Sequence, residues 1–284
     1  NTSPNVSTPS TLNRSRIRHC PHNAKPATAG CYTTCMIENF EVITINEFIG
    51  TAILVLIGCG IGALGSLPKS LGFGAGNWML TAFGWGMAVF VGASVAWESG
   101  AHLNPAVTVA LAMTDNTDWG LVPYYFLGEF AGAIVGGLLV YIMYKKQFDD
   151  HDELHTTGSI FYTKPGVRSL FWNTVSEAIA SFVLVYWIIQ QAPWQPSIEG
   201  AAPNLGNIGL GYAGVAFAVV AIGAGLGGAT GYAINPARDL GPRIAYALLP
   251  LHGKEKIDWG YAWVPVIGPL IGGAAAALVY IVNY

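Results

Sequence analysis

Charge is what this chain has least of: Asp, Glu, Lys and Arg make up 10% of its 284 residues, against about 25% in an ordinary soluble domain. Apolar residues make up 52%, a balance that excludes a water-soluble fold and points to a bilayer. The net charge is −3, and no long basic run follows the first 25 positions. Nothing therefore recruits nucleic acid or an acidic polymer. Cysteine is scarce as well. Of the four, Cys59 sits in an apolar run as a small buried hydrophobe. Cys20, Cys31 and Cys35 lie near His19 and His22 with spacings that fit none of the usual zinc patterns, so no metal site is expected.

Residues 1–35 lack the apolar stretch of a signal peptide. They are rich in Asn, Thr, Ser and Pro, with Arg14, Arg16, Arg18 and Lys25 scattered among them. The composition predicts a disordered tail over 1–36 and a membrane domain over 37–284. Met36, just before the first apolar run, is a candidate natural start.

Catalytic and cofactor signatures are also missing. Gly58-Cys59-Gly60-Ile61-Gly62-Ala63 and Gly223-Ala224-Gly225-Leu226-Gly227-Gly228 match the dinucleotide-binding spacing, but both lie inside apolar runs with no charge nearby in sequence. The ribose-binding acid expected about 20 residues on is absent, so both are read as packing glycines. No metalloprotease or nucleophile-elbow motif is found. The chain is expected to be no enzyme and to carry no cofactor.

What is present is six apolar runs, near 43–63, 78–97, 120–143, 172–192, 208–228 and 261–282. Each reaches the roughly 20 residues that cross a bilayer core as helix. The second, fifth and sixth contain no charged residue, while the first, third and fourth hold one acid each, Glu47, Glu129 and Glu177. Small residues recur every four positions at Gly128, Gly132 and Gly136 and at Gly268, Gly272 and Ala276, which brings helix backbones close. An even number of spans puts both termini on one side, and the basic tail predicts that side to be the cytoplasm.

The chain repeats itself. Ile45-Asn46-Glu47-Phe48-Ile49-Gly50 resembles Val175-Ser176-Glu177-Ala178-Ile179-Ala180. The Asn104-Pro105-Ala106 motif follows Glu47 by 57 positions, and Asn235-Pro236-Ala237 follows Glu177 by 58. Two halves result, about 40–145 and 170–284, each with three spans and one motif. Three is odd, so the second half must enter from the opposite side and the motifs must face each other. Asn is a favoured N-cap and Pro a favoured first helical residue. Asn104 to Met113 is too short to cross, about 15 Å as helix. The expected fold is all-α, with six transmembrane helices and two re-entrant half-helices in an inverted repeat.

Two helix N-termini meeting at mid-membrane carry about half an elementary charge each. They repel cations, while Asn amide hydrogens aimed at the passage replace the hydrogen bonds that a neutral solute sheds. Arg238, one helical turn after Asn235, adds a fixed charge. Asp239 and Arg243 are spaced to pair and brace the half-helix. Glu47 and Glu177 are expected to accept hydrogen bonds from backbone N–H groups of the re-entrant loops, which cannot stay unsatisfied in lipid; a proton relay is the alternative. His102 is expected to brace the first loop. Glu129 has no counterpart in the repeat and no assigned task. The reading is a passive pore for small neutral solutes.

Gly100-Ala101-His102-Leu103-Asn104-Pro105-Ala106-Val107-Thr108 and Gly231-Tyr232-Ala233-Ile234-Asn235-Pro236-Ala237-Arg238-Asp239 resemble the signature loops of the aquaporin superfamily, from about residue 40 to the end. Asp239, followed by Arg243, is similar to the glycerol-facilitator branch. The resemblance implies a homotetramer in membrane lipid with one pore per subunit, conducting glycerol, water and other small neutral solutes such as urea. It also implies an outer filter of Arg238, Tyr232, Gly223, where the resemblance puts a histidine in water channels, and a second aromatic. That aromatic falls at Phe83 if the loop near Trp97-Glu98 carries an extra residue, or at Trp85 if the helix register shifts; Phe83 is the expectation. A strict water channel and a secondary transporter are the competing readings.

Overall fold

The computed structural model describes residues 29–150, 157–191, 211–251 and 253–284, with side chains from Phe40 onward. Residues 1–28 of the expected tail lie outside the described residues. The helices are α1 (Ala29–Ser66), α2 (Trp78–Val95), α3 (Pro105–Met113), α4 (Val122–Met143), α5 (Lys145–Asp149), α6 (Gly158–Phe161), α7 (Leu170–Gln190), α8 (Tyr212–Leu226), α9 (Pro236–Leu248) and α10 (Val264–Asn283). Among the described residues all regular structure is helical. The backbone of α1 is already helical from Ala29, ahead of Met36.

Five segments are long and apolar enough to cross a membrane: Phe40–Ser66, α2, α4, α7 and α10. The sixth, α8, is described over 15 residues, about 22 Å as helix; the residues just before it lie outside the described set. The protein is a multi-pass membrane protein.

Helix α4 lies against α1 through glycines. A Cβ at Gly128 would come 2.6 Å from the Thr44 carbonyl oxygen, and one at Gly132 would overlap that of Phe48. In the second half, Gly268 and Gly272 meet Thr174 and Ala178 of α7 in the same way. The half-helices cross between halves: α9 packs on α4, and α3 packs on α10. Each half-helix is thus seated on a long helix from the other end of the chain.

Cys59 is fully buried, its thiol 3.6 Å from the Phe161 carbonyl. The long connection after α4 folds back over the second re-entrant loop, where Gly166 N–H donates to the Ala229 carbonyl at 3.1 Å. Beyond α9, Lys254 Nζ donates to the carbonyls of Tyr246, Ala247 and Leu249, each at 2.8 Å. Carbonyls at a helix end are short of backbone donors; here the Tyr246 carbonyl also accepts from Leu249 N–H, and the Leu249 carbonyl from Leu251 N–H. An ammonium there also complements the helix dipole. Lys254→Met is expected to cost about 1–3 kcal/mol, read as a lower thermal midpoint in detergent with the apolar stem retained.

Candidate functional site: a cavity between two capped half-helices

Local sequence grammar makes both half-helix starts. Asn104 and Asn235 are extended, and each is followed by Pro at the first helical position. Asn104 Oδ1 accepts from Ala106 N–H at 3.0 Å. Asn235 Oδ1 accepts from Ala237 N–H at 3.0 Å and Arg238 N–H at 3.1 Å. The amide nitrogens then cross over. Asn104 Nδ2 donates to the Ile234 carbonyl at 2.8 Å, and Asn235 Nδ2 donates to the Leu103 carbonyl at 2.7 Å. This differs from amide groups left wholly free: each spends one of its two protons on the carbonyl preceding the other motif. The reason is that a buried carbonyl without a partner is costly. One proton per Asn remains for the passage.

The loops into these caps are bent alike. Gly100, Ala101 and Leu103 have φ of 89°, 56° and 52°, and Gly231, Tyr232 and Ile234 have φ of 81°, 39° and 45°. Left-handed backbone at a non-glycine residue costs on the order of 1–3 kcal/mol and persists only where its surroundings over-determine it. The two acids provide that restraint. Glu47 accepts from Ser99 Oγ at 2.6 Å, His102 N–H at 3.0 Å and Leu103 N–H at 2.7 Å. Glu177 accepts from Ala233 and Ile234 N–H, both at 2.9 Å.

Glu129, without a task in the sequence, holds the first motif: its Oε1 accepts from Asn104 N–H at 3.0 Å and Thr108 Oγ1 at 2.7 Å. His102 Nδ1 lies 3.0 Å from the same Thr108 hydroxyl, and the ring stacks on Tyr125 at 3.9 Å. The repeat contains a signal for this. Thr108 stands four residues after Asn104, as Asp239 stands four after Asn235, so each half-helix has a polar anchor at one position. The anchor in the second half is charged. Asp239 accepts from Thr163 N–H at 2.7 Å and Thr163 Oγ1 at 2.6 Å, and Arg243 donates to it through Nε at 3.0 Å and Nη2 at 2.7 Å. The pair is buried, and Tyr162 lies under the Arg243 guanidinium at 4.1 Å. Outside the membrane, the Arg168 guanidinium beside Asp258 holds that carboxyl below its usual range. Both groups are exposed, so this pair contributes little to stability.

A cavity of about 150 Å³ runs past both motifs, lined by the two loops and by apolar side chains such as Leu54, Val89, Leu184 and Val219. Arg238, Trp85 and Tyr232 line it as well. The Arg238 guanidinium sits 3.9 Å from the Trp85 ring centroid. Arg238 is 8% exposed, and its Nη1 has no hydrogen-bond partner among the described residues. That leaves a buried donor for whatever occupies the cavity.

The expectation of Phe83 on this wall is corrected. Phe83 is half exposed on the outside of the bundle, while Trp85 is 7% exposed and faces Arg238. Two positions on a helix are about 200° apart, so the two rings cannot share a face. The segment Trp97–Ser99, where an extra loop residue was expected, forms a 3₁₀ turn. Gly223 does not itself line the cavity. A Cβ there would come 2.8 Å from the Tyr232 ring, so its bare backbone makes room for that ring, while its carbonyl accepts from Trp78 Nε1 at 2.8 Å. Sequence reasoning missed Trp78, Thr108 and Thr163, whose partners lie far along the chain.

Comparison with known proteins gives the family and the fold. Residues 37–280 match the family model described as Major intrinsic protein. The chain is 44% identical over 236 residues to the glycerol uptake facilitator protein of Bacillus subtilis, covering 83% of this chain and 82% of the relative. It is 43% identical over 237 residues to glycerol uptake facilitator protein 3 of Lactiplantibacillus plantarum, covering 83% and 94%. The X-ray structure of the aquaglyceroporin from Plasmodium falciparum superposes with a TM-score of 0.71 at 29% identity, covering 85% of this chain and 95% of that one. Paired Asn caps on crossed half-helices, repeated in each half of an all-helical membrane fold, accompany a family match over nearly the whole membrane domain: the chain belongs to the major intrinsic protein family.

Proposed function

We propose that the protein is a passive channel through which glycerol, water and other small neutral solutes such as urea cross a membrane down their gradients, with ions and protons excluded. The observation that carries it is the convergence of two Asn-capped helix N-termini on one cavity, with Arg238, Trp85 and Tyr232 along its wall. Two partial positive charges and a guanidinium oppose any cation. A polyol suits the same wall: its carbon edge lies on the Trp85 and Tyr232 faces while its hydroxyls take up the Asn amides and Arg238. The relatives named as glycerol uptake facilitators support that cargo over water alone.

In this reading Asn104, Pro105, Ala106, Asn235, Pro236 and Ala237 form the central barrier. Glu47, Glu177, His102 and Asp239 brace the loops. The working assembly is a homotetramer with one pore per subunit and both termini in the cytoplasm. Stopped-flow swelling of proteoliposomes across a solute series tests the proposal: fast, non-saturating glycerol uptake is the expected result. Rapid water flux without glycerol flux would make it a strict water channel, and gradient-coupled, saturable uptake would make it a transporter.

A further inference from the structure

Resting on that reading, we propose that Gly58 of α1 is a specificity-determining residue that sets the free width of the channel by seating the Trp85 ring. Gly58 belongs to a glycine-rich run that sequence explains only as packing, yet its glycines are not alike. A Cβ at Gly60 would meet nothing within 4 Å, whereas one at Gly58 would overlap the six-membered part of the Trp85 indole. The indole therefore lies directly on the α1 backbone, and Gly58 is the only residue type that permits it. The same ring carries the Arg238 guanidinium at 3.9 Å. A methyl group added at 58 cannot coexist with the ring where it stands, so the indole must shift, and with it the wall that Trp85 and Arg238 form along the cavity. Tyr232 is seated on Gly223 in the same manner. Trp85 and Tyr232 thus each rest on a glycine of a neighbouring helix.

A solute that fills the passage feels such a displacement more than water does. Gly58→Ala in the full chain, reconstituted in proteoliposomes, is expected to lower glycerol permeability about fivefold or more, with a smaller change for water, since overpacking a filled site raises the barrier. Gly60→Ala is expected to match the wild type. In a Trp85→Ala background, Gly58→Ala is expected to leave the glycerol-to-water ratio unchanged, because the contact it acts through is gone.

An unchanged ratio in the single variant overturns the proposal, as does an equal loss in the Trp85→Ala background. If Gly58→Ala alone does not accumulate as folded protein, recovery of the fold by Trp85→Ala supports the seating, and failure of that double variant overturns it. A wild-type channel that conducts no glycerol would sink the cargo assignment separately, before any variant is compared.

Discussion

Gly223→His lowers glycerol permeability by between about five- and a hundredfold, with water affected less. The new Cβ would stand 2.8 Å from the Tyr232 ring and 3.0 Å from Ala82 Cβ, and the imidazole must then find space beside them. Inserting side-chain volume at a filled site costs about 1–3 kcal/mol. Each 1.36 kcal/mol added to a barrier slows passage about tenfold. Tyr232 is the group that can yield, and the cavity is the open side, so the displaced ring narrows the passage for a three-carbon polyol more than for water. Parallel glycerol and water measurements on proteoliposomes decide this. Glycerol flux equal to the wild type would remove Gly223 and Tyr232 from the filter.

Glu177→Leu is expected to remove the folded channel. Leu matches the bulk but accepts no hydrogen bond, so the N–H groups of Ala233 and Ile234, which point to the buried Glu177 carboxylate, lose their partner. Each unsatisfied buried donor costs about 1–3 kcal/mol. The same loss frees Tyr232 and Ile234 from the restraint that keeps their φ positive. Together these amount to roughly 2–6 kcal/mol, a large share of a typical folding stability. Thermal unfolding in detergent should show a strongly lowered midpoint or no transition. Glu177→Gln, which keeps one carbonyl oxygen, should lie between. If Glu177→Leu unfolds with the wild-type midpoint and conducts normally, the acid does not hold the loop.

Much of the fold could be read from local features. Apolar run length gave five of the six expected spans among the described residues, because a helix must cover the bilayer core before its ends reach water. The half-helix starts were legible because capping is a nearest-neighbour affair: Asn then Pro satisfies and shapes a first turn whatever surrounds it. The repeat added the inversion, since three spans per half leave no other orientation.

Side-chain partners over long separations were not legible. Glu129 looked idle because Asn104 N–H and Thr108, which it holds, are adjacent only once α3 is laid across α4. Phe83 and Trp85 were indistinguishable in sequence because the choice depends on how α2 is rotated about its axis. In the fold the Trp85 indole lies against Gly58 and the Arg238 guanidinium, both remote in sequence.

The two Asn-Pro-Ala motifs show where the boundary falls. The sequence by itself determined that each is a helix N-terminus, that the two oppose each other, and that a charged Arg238 accompanies one of them. Only the tertiary structure decided that each Asn spends an amide proton on the other loop's carbonyl and that Trp85 rather than Phe83 faces the passage. Capping is set by residues in covalent sequence. The cross-bonds and the wall are set by non-glycine residues held at positive φ and by helix rotation, which follow from packing against the other half of the chain.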